Sequence, residues 1–198
     1  MGLTLIQAPS EEPITVEEAK ASPSLRVTTA ANDTDIGTLI TTARMQVEDY
    51  TLSALVTQTW ELVLDGFPTG GIKVPVPPLQ SVTSIKYIDT DGVQQTLDAL
   101  LYSVDTDSTP GLIVPAYGES WPSARDEINA VRVRYVAGFG AKEDVPEDIK
   151  TCIKAIVGVT YDNSQGTIGG QVLTPLDTII EKILVQYVKN YRYKAFTF

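Results

Sequence analysis

The sequence predicts an α+β protein: a helical bundle formed by both ends of the chain, with a small antiparallel β-domain inserted between its halves. Two observations carry this. Apolar residues recur at helical spacing near both ends and with a period of two in the middle. Gly, Pro, Asp and Asn punctuate the middle at short intervals, as turns between short strands do. At 198 residues the chain suits one unit with an insertion, without internal repeats or low-complexity tracts. The expected boundaries are 1–56 for the first bundle helices, 57–140 for the β-domain, 141–190 for the remaining helices and 191–198 for a terminal tail.

Thr15-Val-Glu-Glu18 is a capping box that opens a short helix, which Pro23 should end. Asn32 or Asp33 caps a second helix, with Asp35 suiting the positive end of its dipole. Its apolar stripe is Ile36, Leu39, Ile40, Ala43, Val47 and Tyr50. From Thr57 the period becomes two. Trp60, Leu62 and Leu64 lead, followed by strands at 72–74, 82–88, 93–97, 112–114 and 130–136. Asp91-Gly92 reads as the turn of a hairpin between Ile88 and Val93. Pro146 fits the first turn of a third helix, whose stripe is Ile149, Ile153, Ile156, Val157 and Thr160. A polar loop is expected from Asp162 through Asn163, Gln165, Gly166, Gly169 and Gly170. Thr174 and Pro175 open a fourth helix with an apolar face from Leu176 through Ile179, Ile180, Ile183, Leu184 and Tyr187 to Tyr191.

Composition excludes several chemistries. With no His, the chain can build neither a Ser-His-Asp nor a Cys-His nucleophile system, nor a His-ligated zinc or haem. One Cys, Cys152, forms no internal disulfide, and its apolar helical setting marks a core thiol. The net charge of −10 argues against a protein that wraps nucleic acid with a basic face. No apolar run approaches the ~18 residues that cross a bilayer, so no membrane is expected. The N-terminus lacks the basic region of a secretory signal. The Asn32-Asp-Thr34 sequon is read as a helix start.

No phosphate-binding loop is present, and Gly138-Phe-Gly140 lacks the third glycine of a dinucleotide fingerprint. Asp89-Thr-Asp91-Gly92 resembles the start of a calcium loop but lacks its terminal Glu, which favours the hairpin reading. Glu61 with Asp65, and Glu119 with Asp126, are the carboxylates from which an acid–base pair could be drawn. Nothing else supports them, so no enzyme and no cofactor is expected. Trp60 reads as core or interface packing.

The charge is polarised. The first sixty residues carry eight acids and three bases, whereas after Glu181 there are four bases and no acid. The last eight residues hold four aromatics. Three readings fit this end: cations at the negative end of a helix dipole, a platform for single-stranded nucleic acid, or a tail that docks on another protein. The last is preferred, because so much aromatic area should not stay in water. Its residues would be Tyr187, Lys189, Tyr191, Arg192, Tyr193, Lys194, Phe196 and Phe198.

Several blocks occur in a familiar order: Ile14-Thr-Val-Glu-Glu-Ala-Lys20, Thr42-Ala-Arg-Met-Gln-Val-Glu-Asp-Tyr50, Thr57-Gln-Thr-Trp-Glu-Leu-Val-Leu-Asp-Gly-Phe-Pro68, Pro77-Pro-Leu-Gln-Ser-Val-Thr-Ser-Ile-Lys-Tyr87, Val131-Arg-Val-Arg-Tyr-Val-Ala-Gly138 and Val145-Pro-Glu-Asp-Ile-Lys150. Together, over residues 13–162, they resemble the head–tail connector (adaptor) proteins of tailed bacteriophages, in the longer form with a β-insertion. Two local departures are Ser22-Pro-Ser-Leu-Arg26, where a His-Leu-Arg-like stretch is common, and Ser164 after Tyr161-Asp-Asn163, near where an Arg is common. The resemblance implies a ring of twelve copies in the virion neck, assembled in the cytoplasm of a bacterial host. The ring would sit beneath the portal protein, extend the DNA channel without sequence-specific binding, and carry the next neck or stopper protein. It further implies that the terminal tail reaches the portal, and the 163–170 loop is a candidate for the side that faces the tail. The alternative is another neck protein, a stopper or tail-completion factor.

Overall fold

The computed structural model describes residues 1–25, 32–164 and 182–188. Helix α1 (Val16–Ala21) opens as its sequence requires. The Thr15 hydroxyl accepts the Glu18 N–H, and the Glu18 carboxylate accepts the Thr15 N–H, satisfying two otherwise orphaned donors. It ends at Ser22, whose backbone is extended because Pro23 follows. Helix α2 (Asp33–Thr51) buries Ile36, Ile40, Ala43, Arg44, Val47 and Thr51. Tyr50, expected on this stripe, is 40% exposed. The steps of three and four from Ile40 run through Ala43 and Arg44 to Val47 and Thr51, which leaves Tyr50 on the flank.

Helix α3 (Glu147–Ser164) begins directly after Pro146, whose carbonyl accepts the Lys150 N–H. Ile149, Ile153 and Val157 are buried, while Thr160 is exposed and turns its hydroxyl to the Ile156 carbonyl. The helix outruns expectation: Asp162, Asn163 and Ser164 form its last turn, not the start of a loop. Tyr161, one turn beyond Val157, packs into the helical core and extends the buried stripe. Residues 182–188 are helical too, and Leu184 is buried in the same core.

Among the described residues, eight strands form two antiparallel sheets. β1 (Gly2–Gln7), β2 (Gln58–Leu64), β4 (Leu79–Ile88), β5 (Gln94–Thr96) and β8 (Val131–Ala137) make a five-stranded sheet in the order β1-β2-β8-β4-β5. β3 (Ile72–Lys73), β6 (Tyr102–Asp105) and β7 (Leu112–Pro115) make a second, in the order β3-β7-β6. Leu62, Ile85, Val133 and Tyr135 from the first meet Ile72 and Ile113 from the second in one core. Each aliphatic side chain among them contributes roughly 1.5–3 kcal/mol by leaving water. The β4–β5 hairpin turns at Asp91-Gly92, where Gly92 has φ +85° and the Asp89 N–H donates to the Val93 carbonyl at 2.9 Å.

Two strands were not expected. β6 pairs Ser103 with Val114 and Val104 with Ile113. β1 lies within the stretch read as purely helical, and pairs Leu3 with Leu62 and Leu5 with Trp60 at the edge of the large sheet. The helical and sheet cores meet at residues 54–58. Ala54 belongs to the sheet core, and Leu55 and Val56 to the helical one.

Candidate functional site

The carboxylates drawn from the sequence do not form an acid–base pair. Glu61 accepts from Arg132 Nη1 at 3.0 Å and from Arg134 Nη2 at 2.9 Å. Partial burial pushes its carboxyl up, but the two guanidiniums outweigh this and hold it below the ordinary range. A general acid needs the opposite. Asp65 is largely exposed and accepts the Asn129 N–H at 3.0 Å. Glu119 and Asp126 are exposed loop residues. Asp89 spends its oxygens on the hairpin, accepting the Asp91 and Val93 N–H groups and the Gln95 amide. Hydrogen bonding to these donors holds its carboxyl below the ordinary range. Among the described residues no three His, Cys, Asp or Glu side chains are grouped to hold a metal ion. No described helix is long and apolar enough to cross a membrane.

Cys152 is buried on α3. Burial, followed by the nearby Asp148 charge, pushes its thiol up to about 11. The folded protein is expected to resist a thiol-specific reagent at pH 8 and to react once unfolded in urea. Rapid labelling without denaturant would contradict the buried setting.

The surface is more informative. A groove of about 630 Å³ lies between β1, the C-terminal half of α2 and β2. Its apolar lining includes Leu3, Leu5, Met45, Leu52 and Trp60, and Asp49 lines it too. Leu3, Leu5, Met45 and Leu52 are each 39–54% exposed. Trp60 holds its indole N–H buried without a partner among the described residues. Beside the groove, β1 is exposed throughout and contains neither a charge nor a proline, the usual guards of a free strand edge. The groove could not be read from sequence, because β1, α2, β2 and residues 75–76 together build it. The alternation Leu3-Thr-Leu5 was the one available signal for β1.

Of the expected docking residues, Tyr187 is described. Its ring packs on the helical core, and its hydroxyl donates to Asp148 Oδ1 at 2.7 Å. Gln186 donates to the other Asp148 oxygen at 2.6 Å. Tyr187 is therefore held against α3. Lys189, Tyr191, Arg192, Tyr193, Lys194, Phe196 and Phe198 lie outside the described residues, as do Gln165, Gly166, Gly169 and Gly170 of the expected loop. Asn163 is helical.

No protein-family model matches the chain, and no curated protein matches it by sequence. Solved structures do. A chain in the neck of the empty gene transfer agent (GTA) particle, computed with C6 symmetry, superposes with a TM-score of 0.74 at 21% identity, covering 92% of this chain and 95% of that one. A chain in the virion of the native GTA particle gives 0.72 at 21% identity, covering 92% and 94%. A chain in the neck of the native particle, computed with C12 symmetry, gives 0.71 at 18% identity, covering 94% of each. The likeness is one of fold, and it spans nearly the full length of both partners.

Proposed function

We propose that this chain is a structural neck protein of a tailed-phage-like particle, and within the neck the adaptor: a ring of twelve beneath the portal that extends the DNA channel and joins capsid to tail. The observation that carries this is the likeness of the fold, over 92–94% of this chain, to chains in the neck of the GTA particle. The helices on either side of residues 57–140 are read as one bundle with the β-domain inserted. The exposed edge of β1 and the apolar groove beside it suit a protein that works among neighbours. Its role would be assembly by many weak contacts summed over a ring. Net acidity suits a conduit, since like charge opposes the counterion-releasing contacts that would hold DNA. Residues 189–198, basic and aromatic, are assigned to the portal, and residues 163–170 to the tail side.

Deleting residues 189–198 tests the portal assignment. The truncated protein should keep the wild-type melting transition yet fail to join purified portal-bearing capsids in a co-sedimentation assay. Normal co-sedimentation would overturn the role given to the tail. Density for this chain in a reconstructed particle, away from the portal, would replace the adaptor with a stopper or tail-completion factor.

A further inference from the structure

The large sheet turns Val131, Val133 and Tyr135 inward, so the alternate residues of β8, Arg132 and Arg134, face outward. Lys86 of β4 lies directly opposite Arg132 in the ladder, and Ser84 opposite Arg134. Together with Glu61 and Gln94 they line a shallow cleft of about 230 Å³. Like charges directly opposite on a sheet repel, so the Lys86–Arg132 placement is unfavourable for the isolated chain. Glu61 relieves it in part, because both arginines bond to its carboxylate. Lys86 forms no ion pair among the described residues. The face therefore holds three bases and one acid, a positive patch on a chain of net charge −10.

We infer that this outward face, centred on Lys86 and Arg132, is the electropositive side of the contact between adjacent copies in the ring, and that it receives acidic side chains of a second copy of this chain. The inference rests on the ring reading above. Charge complementarity selects the occupant: apart from Glu61 and these three bases, the chain carries 24 acids and 12 bases, so a neighbouring copy presents an acidic surface. Ring closure needs a heterologous contact, with two different and complementary patches on every copy. A basic sheet face meeting an acidic flank is such a pair. DNA is the less suitable polyanion. The Glu61 carboxylate flanks the patch from β2, holds both guanidiniums and repels phosphate.

Zero-length carbodiimide crosslinking of assembled particles, read by mass spectrometry, tests this. The reagent joins Lys86 Nζ to a carboxylate in direct contact. The expected product is an amide between Lys86 and an Asp or Glu of this same chain, running as a dimer on a denaturing gel. The Lys86→Glu variant should fold normally, since Lys86 is exposed, and should enter particles at least about tenfold less well, by the cost of like charges at an interface. Normal entry of Lys86→Glu, or Lys86 crosslinked only to another protein, overturns the inference. So does an ordered ring in which the variant alters DNA retention alone, which would place the face on the channel. If wild-type protein is missing from the neck altogether, the ring reading itself fails, a result distinct from these.

Discussion

Replacing Gly138 with Ala is expected to destabilise the protein by on the order of 3 kcal/mol or more, since left-handed strain and overpacking act together. Gly138 has φ +126°, a conformation that side chains rarely adopt. A Cβ there would lie 2.5 Å from the Val56 carbonyl oxygen, 2.7 Å from its carbon and 2.9 Å from the Thr57 nitrogen. All three are backbone atoms, so no side chain can swing aside. The position is also the seam between the two cores. The Gly138 N–H donates to the Pro78 carbonyl at 2.9 Å, the Phe139 N–H to Leu55 at 3.0 Å and the Thr57 N–H to Gly140 at 2.9 Å. Gln80 Nε2 donates to the Gly138 carbonyl at 2.9 Å. Moving residue 138 would disturb bonds that tie the sheet to residues 55–57 and so to the helices. Gly66→Ala is the control, because nothing lies within 4 Å of its added Cβ and its φ is ordinary. Urea unfolding of both variants checks this. Equal midpoints for the two would show that the seam tolerates the Cβ.

How much of this was legible in the sequence follows from the range of the interactions. The Thr15–Glu18 capping box and the stripe Ile36, Ile40, Ala43, Val47 are local, so the sequence carries them openly. Strand β1 depends on a partner more than fifty residues away and is short, so little in its own residues distinguishes it from an extended terminus. β6 is four residues long, and its pairing with β7 likewise lies outside its own pattern. Arg44 was hidden by its type: a charged residue is read as exposed, yet Glu48 one helical turn on is a signal that it can be buried with a partner. The basic face of the sheet was visible in part, as Arg132 and Arg134 at alternate positions of an apolar strand. Lys86 joins them only through the β4–β8 register. Glu61 reads from sequence as a candidate acid, because its two arginine partners lie across the β2–β8 ladder, some seventy residues on. The groove of Leu3, Met45, Leu52 and Trp60 was not legible, because no two of its walls share a local pattern.

Arg44→Met should lower stability at pH 8 by roughly 3–5 kcal/mol, the usual cost of stripping the partner from a buried charge. Arg44 is a buried residue whose Nε donates to Glu12 at 2.8 Å and whose Nη1 donates to Glu48 at 2.5 Å. Glu48 in turn accepts the Leu55 N–H at 3.0 Å and the Gln58 amide at 2.6 Å, so one carboxylate ties α2, the seam and β2 together. Burial pushes the Glu48 carboxyl above its ordinary value, although the Leu55 N–H, Arg44 and Gln58 all pull it down. A folded-state value above the unfolded one means that folding takes up a proton in the window between them. The stability from that group is therefore fully present below the unfolded carboxyl value and is lost as pH rises through the folded one. Removing Arg44 takes away a downward pull, raises the folded value further and widens the window. The Arg44→Met deficit should thus be largest near pH 8 and shrink towards pH 5, as Glu48 becomes protonated and its buried charge disappears. Adding Glu48→Gln should recover much of the loss at pH 8 and flatten the dependence, since a neutral amide needs no counter-ion. Urea midpoints at pH 5 and pH 8 for the single and double variants decide the matter. A deficit that is the same at both pH values would show that Arg44 stabilises by packing its alkyl stem and not by holding the Glu48 charge.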